Sequence, residues 1–169
     1  MKHSDRPTNN RNLVIVTLVL TFVVMACDSP PWSRFVVANS TKSVITIRFY
    51  TPYPEMAHPY LYSVDEWKEK EHFTSGTPED KFRINKEEGW IEADVSPGAA
   101  IEIDRARYPD VEQNIESNFL VDRLDIHGEN IALSYSGRKE IYGLFQKEWI
   151  GAYSYVTGTS PLYAYYIKQ

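Results

Sequence analysis

The side chains able to do chemistry are few, and their spacing argues against most reactions. Of the four histidines, His3 lies in the N-terminal segment, His58 and His72 flank a short capped helix expected from Ser63, and His127 falls at a turn. No two stand four apart, as a helix needs to present a metal pair, and the single cysteine supplies no thiolate pair. Surface histidines and no metal are the expectation. Glu92, Asp94, Glu102 and Asp104 alternate with apolar residues and should share an outward face, where Glu92 meets Glu102. Facing carboxylates need neutralising, which Ca²⁺ would do. Arg83 and Lys81 are placed to do so without it, so an ion-paired solvent face is expected. Ser134 and Ser136 with His127 and Asp122 or Asp125 contain the groups of a nucleophilic triad, but they straddle a turn in no productive order. The chain has no Gly-x-Ser-x-Gly elbow, no phosphate-binding glycine loop and no dinucleotide fingerprint. Neither a catalytic residue nor a cofactor is expected.

Aromatic residues offer a binding chemistry instead. Five of the twelve tyrosines fall in the last seventeen residues, and Tyr153 with Tyr155, and Tyr163 with Tyr165, have the spacing of residues on one strand face. Two strands joined around Thr157–Pro161 would align these four rings. Exposed, they form a platform for a glycan or a protein; buried, they are cross-strand packing, the more frequent outcome. A second aromatic set, Tyr53, Tyr60, Tyr62 and Trp67, occupies a stretch interrupted by Pro52, Pro54 and Pro59.

The elements that must hold these residues are mostly strands. Arg34–Asn39 and Ser43–Tyr50 flank the polar turn Ser40-Thr41-Lys42, and Ile45, Ile47 and Phe49 alternate with Thr46 and Arg48. Ser63-Val64-Asp65-Glu66 has capping-box spacing and begins one short helix ending near His72. Lys81–Asp104 reads as a hairpin and a third strand. If Lys86–Gly89 forms the turn, Arg83 faces Glu92, Lys81 faces Asp94 and Ile84 faces Ile91, so charged and apolar pairs emerge from one register. Ser96-Pro97-Gly98 then leads into Ala99–Asp104, with Ile101 and Ile103 facing in. Residues 105–115 read as a loop. Further strands are expected at Asn118–Ile126, Asn130–Tyr135, Lys139–Phe145, Trp149–Val156 and Leu162–Ile167. Short strands with regular turns predict one all-β domain, an antiparallel β-sandwich of about eight strands with one short helix, or alternatively a β-barrel.

The N-terminus carries a different signal. A basic segment precedes Leu13–Ala26, fourteen almost wholly apolar residues. As a helix these rise about 21 Å, short of the ~30 Å hydrocarbon core of a bilayer, which suits a secretory signal better than a span. Val24-Met25-Ala26-Cys27 resembles the lipobox of bacterial lipoproteins: an aliphatic residue three before a cysteine, and a small one just before it. The resemblance covers the first 28 or so residues. It implies cleavage between Ala26 and Cys27 and a diacylglyceryl group on Cys27, so that the membrane is a partner through this anchor. Asp28 resembles the residue that retains enterobacterial lipoproteins in the inner membrane. The expected organisation is thus a signal peptide over 1–26, a lipidated tether over 27–33 and a domain over 34–169. From Asp28 to Ser33 the tether spans at most ~20 Å, so the domain should sit close to its bilayer.

Composition bounds the rest. The 169 residues carry a formal net charge of −5. Removing residues 1–26, which contribute +2, leaves 143 residues at −7. That balance disfavours nucleic acid as a partner, since a phosphate backbone requires a basic face. Cys27 is the only cysteine, so the domain folds without a disulfide. The expected role is a non-catalytic binding or accessory module of the cell envelope, with an envelope protein or a glycan as partner. The alternative is an envelope hydrolase whose site is dispersed in sequence; it would need a cleft where histidine and carboxylates converge.

Overall fold

The computed structural model of the protein describes residues 32–54, 57, 59–62, 81–107, 110–149 and 161–168. All belong to one unit, Pro31–Gln169. The short helix expected over 63–72 lies outside the described residues.

Ten strands are described: β1 (Trp32–Asn39), β2 (Ile45–Tyr50), β3 (Tyr60–Tyr62), β4 (Arg83–Asn85), β5 (Trp90–Val95), β6 (Ala100–Arg107), β7 (Arg123–Gly128), β8 (Ile131–Ser136), β9 (Gln146–Trp149) and β10 (Pro161–Ile167). Three short helical turns join them: α1 (Asp110–Gln113), α2 (Ile115–Asn118) and α3 (Arg138–Tyr142). Sheet A runs β3-β6-β1-β10-β9 and sheet B runs β4-β5-β2-β7-β8. Every pairing is antiparallel except β1 with β10. Neither sheet closes on itself among the described strands, so the domain is the all-β sandwich and not the barrel.

Alternation builds the core. In β2, Ile45, Ile47 and Phe49 are buried while Thr46, Arg48 and Tyr50 are half-buried. They meet Ile91, Ala93 and Val95 of β5 and Leu124 and Ile126 of β7, and across the sandwich Phe35, Val37, Ile101 and Ile103 of sheet A. Each large aliphatic or aromatic side chain fully buried here contributes about 1.5–3 kcal/mol. The middle of sheet A is buried on its other face too. Val36, Ala38, Tyr62, Ala100, Leu162 and Ala164 form a second cluster there. With both sides apolar, β1 loses its alternation.

The chain changes sheets six times among the described strands, and only β4–β5, β7–β8 and β9–β10 are consecutive neighbours. This topology corrects one expectation: Ser96-Pro97-Gly98 does not turn β6 back beside β5 but carries it into the opposite sheet, with Gly98 at φ 77°. Glu92 and Glu102 therefore stand in different sheets and cannot share a Ca²⁺ ion.

Other expectations are corrected locally. Trp32 and Ser33, placed in the tether, already pair with β6. Residues 105–115 are not all loop, because β6 continues to Arg107 and α1 follows. Strand structure in Asn118–Ile126 begins only at Arg123. Lys139–Phe145 is not a strand: Gly137, at φ 99°, ends β8, and Ile141 N–H donates to Gly137 C=O at 3.1 Å to close α3. The Glu140 carboxylate reaches back to the N–H of Ser136 at 3.3 Å, and the turn buries Ile141. Ile141 is the one fully buried residue of this segment, while Tyr142, Leu144 and Phe145 pack half-buried against the core around Phe35.

Candidate functional site

The outer face of sheet B is laid out by its registers. One row crosses all five strands as Asn85, Trp90, Tyr50, Arg123 and Ser136. The next reads Arg83, Glu92, Arg48, Asp125 and Ser134, and beside it run Asp94, Thr46, His127 and Ala132. The central row thus alternates in charge across four strands. Arg83 Nε lies 2.7 Å from Glu92 Oε1, Arg48 Nη2 lies 2.7 Å from Glu92 Oε2, and Arg123 reaches Asp125 at 3.1 Å. Arg83 also forks onto Asp94, at 2.9 Å and 3.1 Å. The bonds from Arg83, then the Thr46 hydroxyl, hold the Asp94 carboxyl below its usual range. Burial pushes Asp125 up, but the hydrogen bonds from Ser134 and Arg123 outweigh it and leave this carboxyl low as well. Opposite charges aligned across strands fix the side chains of this face in place.

Two rings are held by the same arginines. The Arg48 guanidinium lies 4.4 Å from the Trp90 ring centre and that of Arg123 lies 4.9 Å from Tyr50. Trp90 Nε1 donates to Glu88 at 2.7 Å. Tyr50 and Trp90 are direct cross-strand partners, so two cation–π pairs stand side by side on a half-exposed polar face. Tyrosine, tryptophan and arginine are the residue types that dominate recognition surfaces. The wet position of Arg48 was readable from alternation in β2. The union of Trp90, Tyr50 and Arg123 was not, because it depends on β2 pairing with β5 and β7 across long stretches of chain.

Sheet A carries a buried polar network that the sequence did not announce. Tyr62 O–H donates to Glu102 at 2.5 Å, Arg34 donates to the Tyr62 oxygen at 3.2 Å, and Arg105 Nε donates to Glu102 at 2.8 Å. Burial, reinforced by Glu102, keeps the Tyr62 phenol protonated well above its ordinary range. Arg34 and Glu102 are both buried, so the network neutralises charge inside the second apolar cluster. It is a structural device.

Asp104 was expected to face outward with Glu102. A register shift between Phe35 and Val36 inserts Ile103 as an extra residue in β6, which turns Asp104 away from Glu102. Its carboxylate accepts the N–H groups of Leu120 and Arg105, each at 2.7 Å, and burial pushes its pKa up to about 6.

The residues singled out for binding separate. Tyr163 and Tyr165 do share a face, but it is the inward one. Tyr163 is 3% exposed, its ring stacks on Phe35 at 4.7 Å, and its hydroxyl donates to Glu112 at 2.5 Å. Tyr165 meets the Tyr135 hydroxyl at 2.9 Å across the sandwich. These two rings are inter-sheet packing. Tyr153 and Tyr155 lie outside the described residues, as do Ala26, Cys27 and Asp28, together with His58, His72 and Trp67. His127 is exposed on β7, and Ser134 gives its hydroxyl hydrogen bond to Asp125 at 2.6 Å, not to a histidine. Among the described residues no group of three His, Cys, Asp or Glu side chains could hold a metal ion, and no helix is long and apolar enough to cross a membrane.

Comparison with protein-family models, with curated proteins and with solved structures yields no match for this chain.

Proposed function

We propose that this chain is a lipid-anchored protein of the bacterial cell envelope, tethered through Cys27, whose β-sandwich acts as a non-catalytic binding module. The anchor rests on the Val24-Met25-Ala26-Cys27 lipobox behind an apolar run too short to span a bilayer. Asp28 favours the inner membrane as the site of retention. Several acyl chains, each buried CH₂ contributing ~0.8 kcal/mol, hold such a protein stably where one chain is marginal.

The binding surface is the outer face of sheet B, and its ligand is an envelope protein. One observation carries this: Trp90 and Tyr50 stand adjacent with a guanidinium fixed on each ring, at 4.4 Å and 4.9 Å. Side chains already ordered by ion pairs lose little freedom when a partner docks, which is how a modest surface gains affinity. Site-specific photo-crosslinking in intact envelopes tests the surface. A crosslinker at Thr46, on the same outer face two rows from the rings, should give a discrete protein adduct that Trp90→Ala weakens. A crosslinker at Lys168, exposed just past the end of β10 in the opposite sheet, should not. Equal adducts from both positions, or none from Thr46, would remove sheet B as the docking face. Adducts to glycan strands alone would reassign the ligand class.

A further inference from the structure

Exposed sheet edges invite pairing, and proteins normally guard them with charge, proline, bulges or brevity. The edges of sheet A are short: β3 has three residues, and β9 has four, including Lys147 and Glu148. In sheet B, β4 is three residues long and contains Arg83. β8 has none of these guards. It runs six residues as Ile-Ala-Leu-Ser-Tyr-Ser, uncharged, without proline, and in unbroken register with β7.

The backbone shows which groups the edge presents. Gly137 N–H points toward β7, donating to Asp122 C=O at 2.8 Å, whereas Ser136 N–H points away and is taken by Glu140 at 3.3 Å. Alternation along the strand turns the N–H and C=O of Ala132 and Ser134 outward as well. No described residue bonds to them.

We propose that β8 is a homodimer interface, in which two copies add edge to edge about a two-fold axis at Leu133 and join their B sheets into one. In this register Ala132 pairs with Ser134 of the partner subunit, and Ser134 with the partner's Ala132. Four backbone hydrogen bonds then form from outward-facing groups alone. An axis at Ser134 would instead require the Ser136 N–H that Glu140 already holds. Leu133 faces the partner's Leu133 and Ile131 faces the partner's Tyr135, which extends the half-buried rim of the core. On the outer face alanine and serine meet along the paired residues, and the carboxylate at this edge, Glu140, lies at the end of the strand on the Ser136 N–H. At the ends, Glu129 before β8 falls near the partner's Arg138 and the partner's Lys139, cations that begin α3 and also meet Glu116 of their own chain. A second copy is thus the occupant the edge fits. The dimer requires neither the lipid on Cys27 nor a ligand on sheet B, so its failure would leave both of those readings standing.

Two measurements on the full-length chain test it. Sedimentation of the detergent-solubilised protein should give a dimer that dissociates on dilution, and Ala132→Pro should abolish it while the thermal melt is retained. Proline is tolerated on an edge strand whose N–H faces outward. In membranes, Leu133→Cys should form a disulfide-linked dimer under mild oxidation well above the background of the wild type, whose only cysteine is Cys27. Facing residues of a non-hydrogen-bonded pair have Cα atoms only about 4.5 Å apart. Ile84→Cys, exposed on the opposite edge, should stay at background. A monomer at every concentration, a dimer unmoved by Ala132→Pro, or crosslinking through residue 84 and not 133 would each overturn the interface.

Discussion

The side-chain amide of Asn39, at the end of β1, donates to the carbonyl of Val95, at the end of β5, across 2.8 Å. The same nitrogen donates to Ser43 C=O at 2.9 Å, and its Oδ1 accepts from Thr41 N–H and from Thr41 Oγ, at 2.9 Å and 2.8 Å. One buried residue therefore ties two of the places where the chain changes sheets. Asn39→Ala orphans several groups at once, and since each buried unsatisfied group costs about 1–3 kcal/mol, the loss should be at least ~2 kcal/mol. Urea denaturation measures it. A change below ~0.5 kcal/mol would mean that the corner is held by something else.

Arg83 and Arg48 share Glu92, whose side chain is 11% exposed. Either arginine alone satisfies it, and Arg83 is half exposed, so Arg83→Ala should cost only roughly 0.2–1 kcal/mol. Removing both leaves a nearly buried carboxylate without a cation. The double variant should therefore lose more than the sum of the singles, by about 0.5–3 kcal/mol. Denaturant melts of the four proteins in the cycle decide it, and strict additivity would show that the charged row is not a coupled unit.

Asp104 makes stability depend on pH in an unusual direction. Its folded pKa, about 6, lies above the ordinary carboxyl value, so the folded state holds this proton more tightly than the unfolded chain does. Its contribution is fully present below about pH 4 and is lost as pH rises through about 6. Asp94, Glu112 and Asp125 are held low and act oppositely, contributing above about pH 4 and losing that contribution in stronger acid. Thermal melts of wild type and Asp104→Asn between pH 4 and pH 7 test this. The wild type should weaken relative to the variant as pH rises through that window. A difference that stays constant with pH would place the Asp104 carboxyl at its ordinary value.

Local pattern was legible where a strand has one wet and one dry face. The alternation of Ile45, Ile47 and Phe49 held, and the register that set Arg83 against Glu92 and Ile84 against Ile91 is the one observed. Lys81, though, does not reach Asp94, because Arg83 spans both carboxylates and β4 begins only at residue 83. The sheet assignment of a strand was not legible, since a turn such as Ser96-Pro97-Gly98 has the same composition whether it closes a hairpin or changes sheets. That ambiguity misplaced Glu102. The bulge at Ile103 moved Asp104, and nothing in its neighbours signals an extra residue. Ile141 and Tyr142 have strand-like side chains, yet a segment with one buried residue carries no period to read. The tyrosine pair 163 and 165 was correctly placed on one face, but spacing alone does not say whether a face looks in or out.

The central claim concerns Cys27, and mass spectrometry of the protein taken from its native membranes tests it most directly. The mature chain should begin at Cys27, with a diacylglyceryl group on its sulfur, and the Cys27→Ser variant should remain uncut and take up no palmitate label. A mature chain that retains the Ala26–Cys27 bond, or a native Cys27 bearing no lipid, would contradict the proposed anchor.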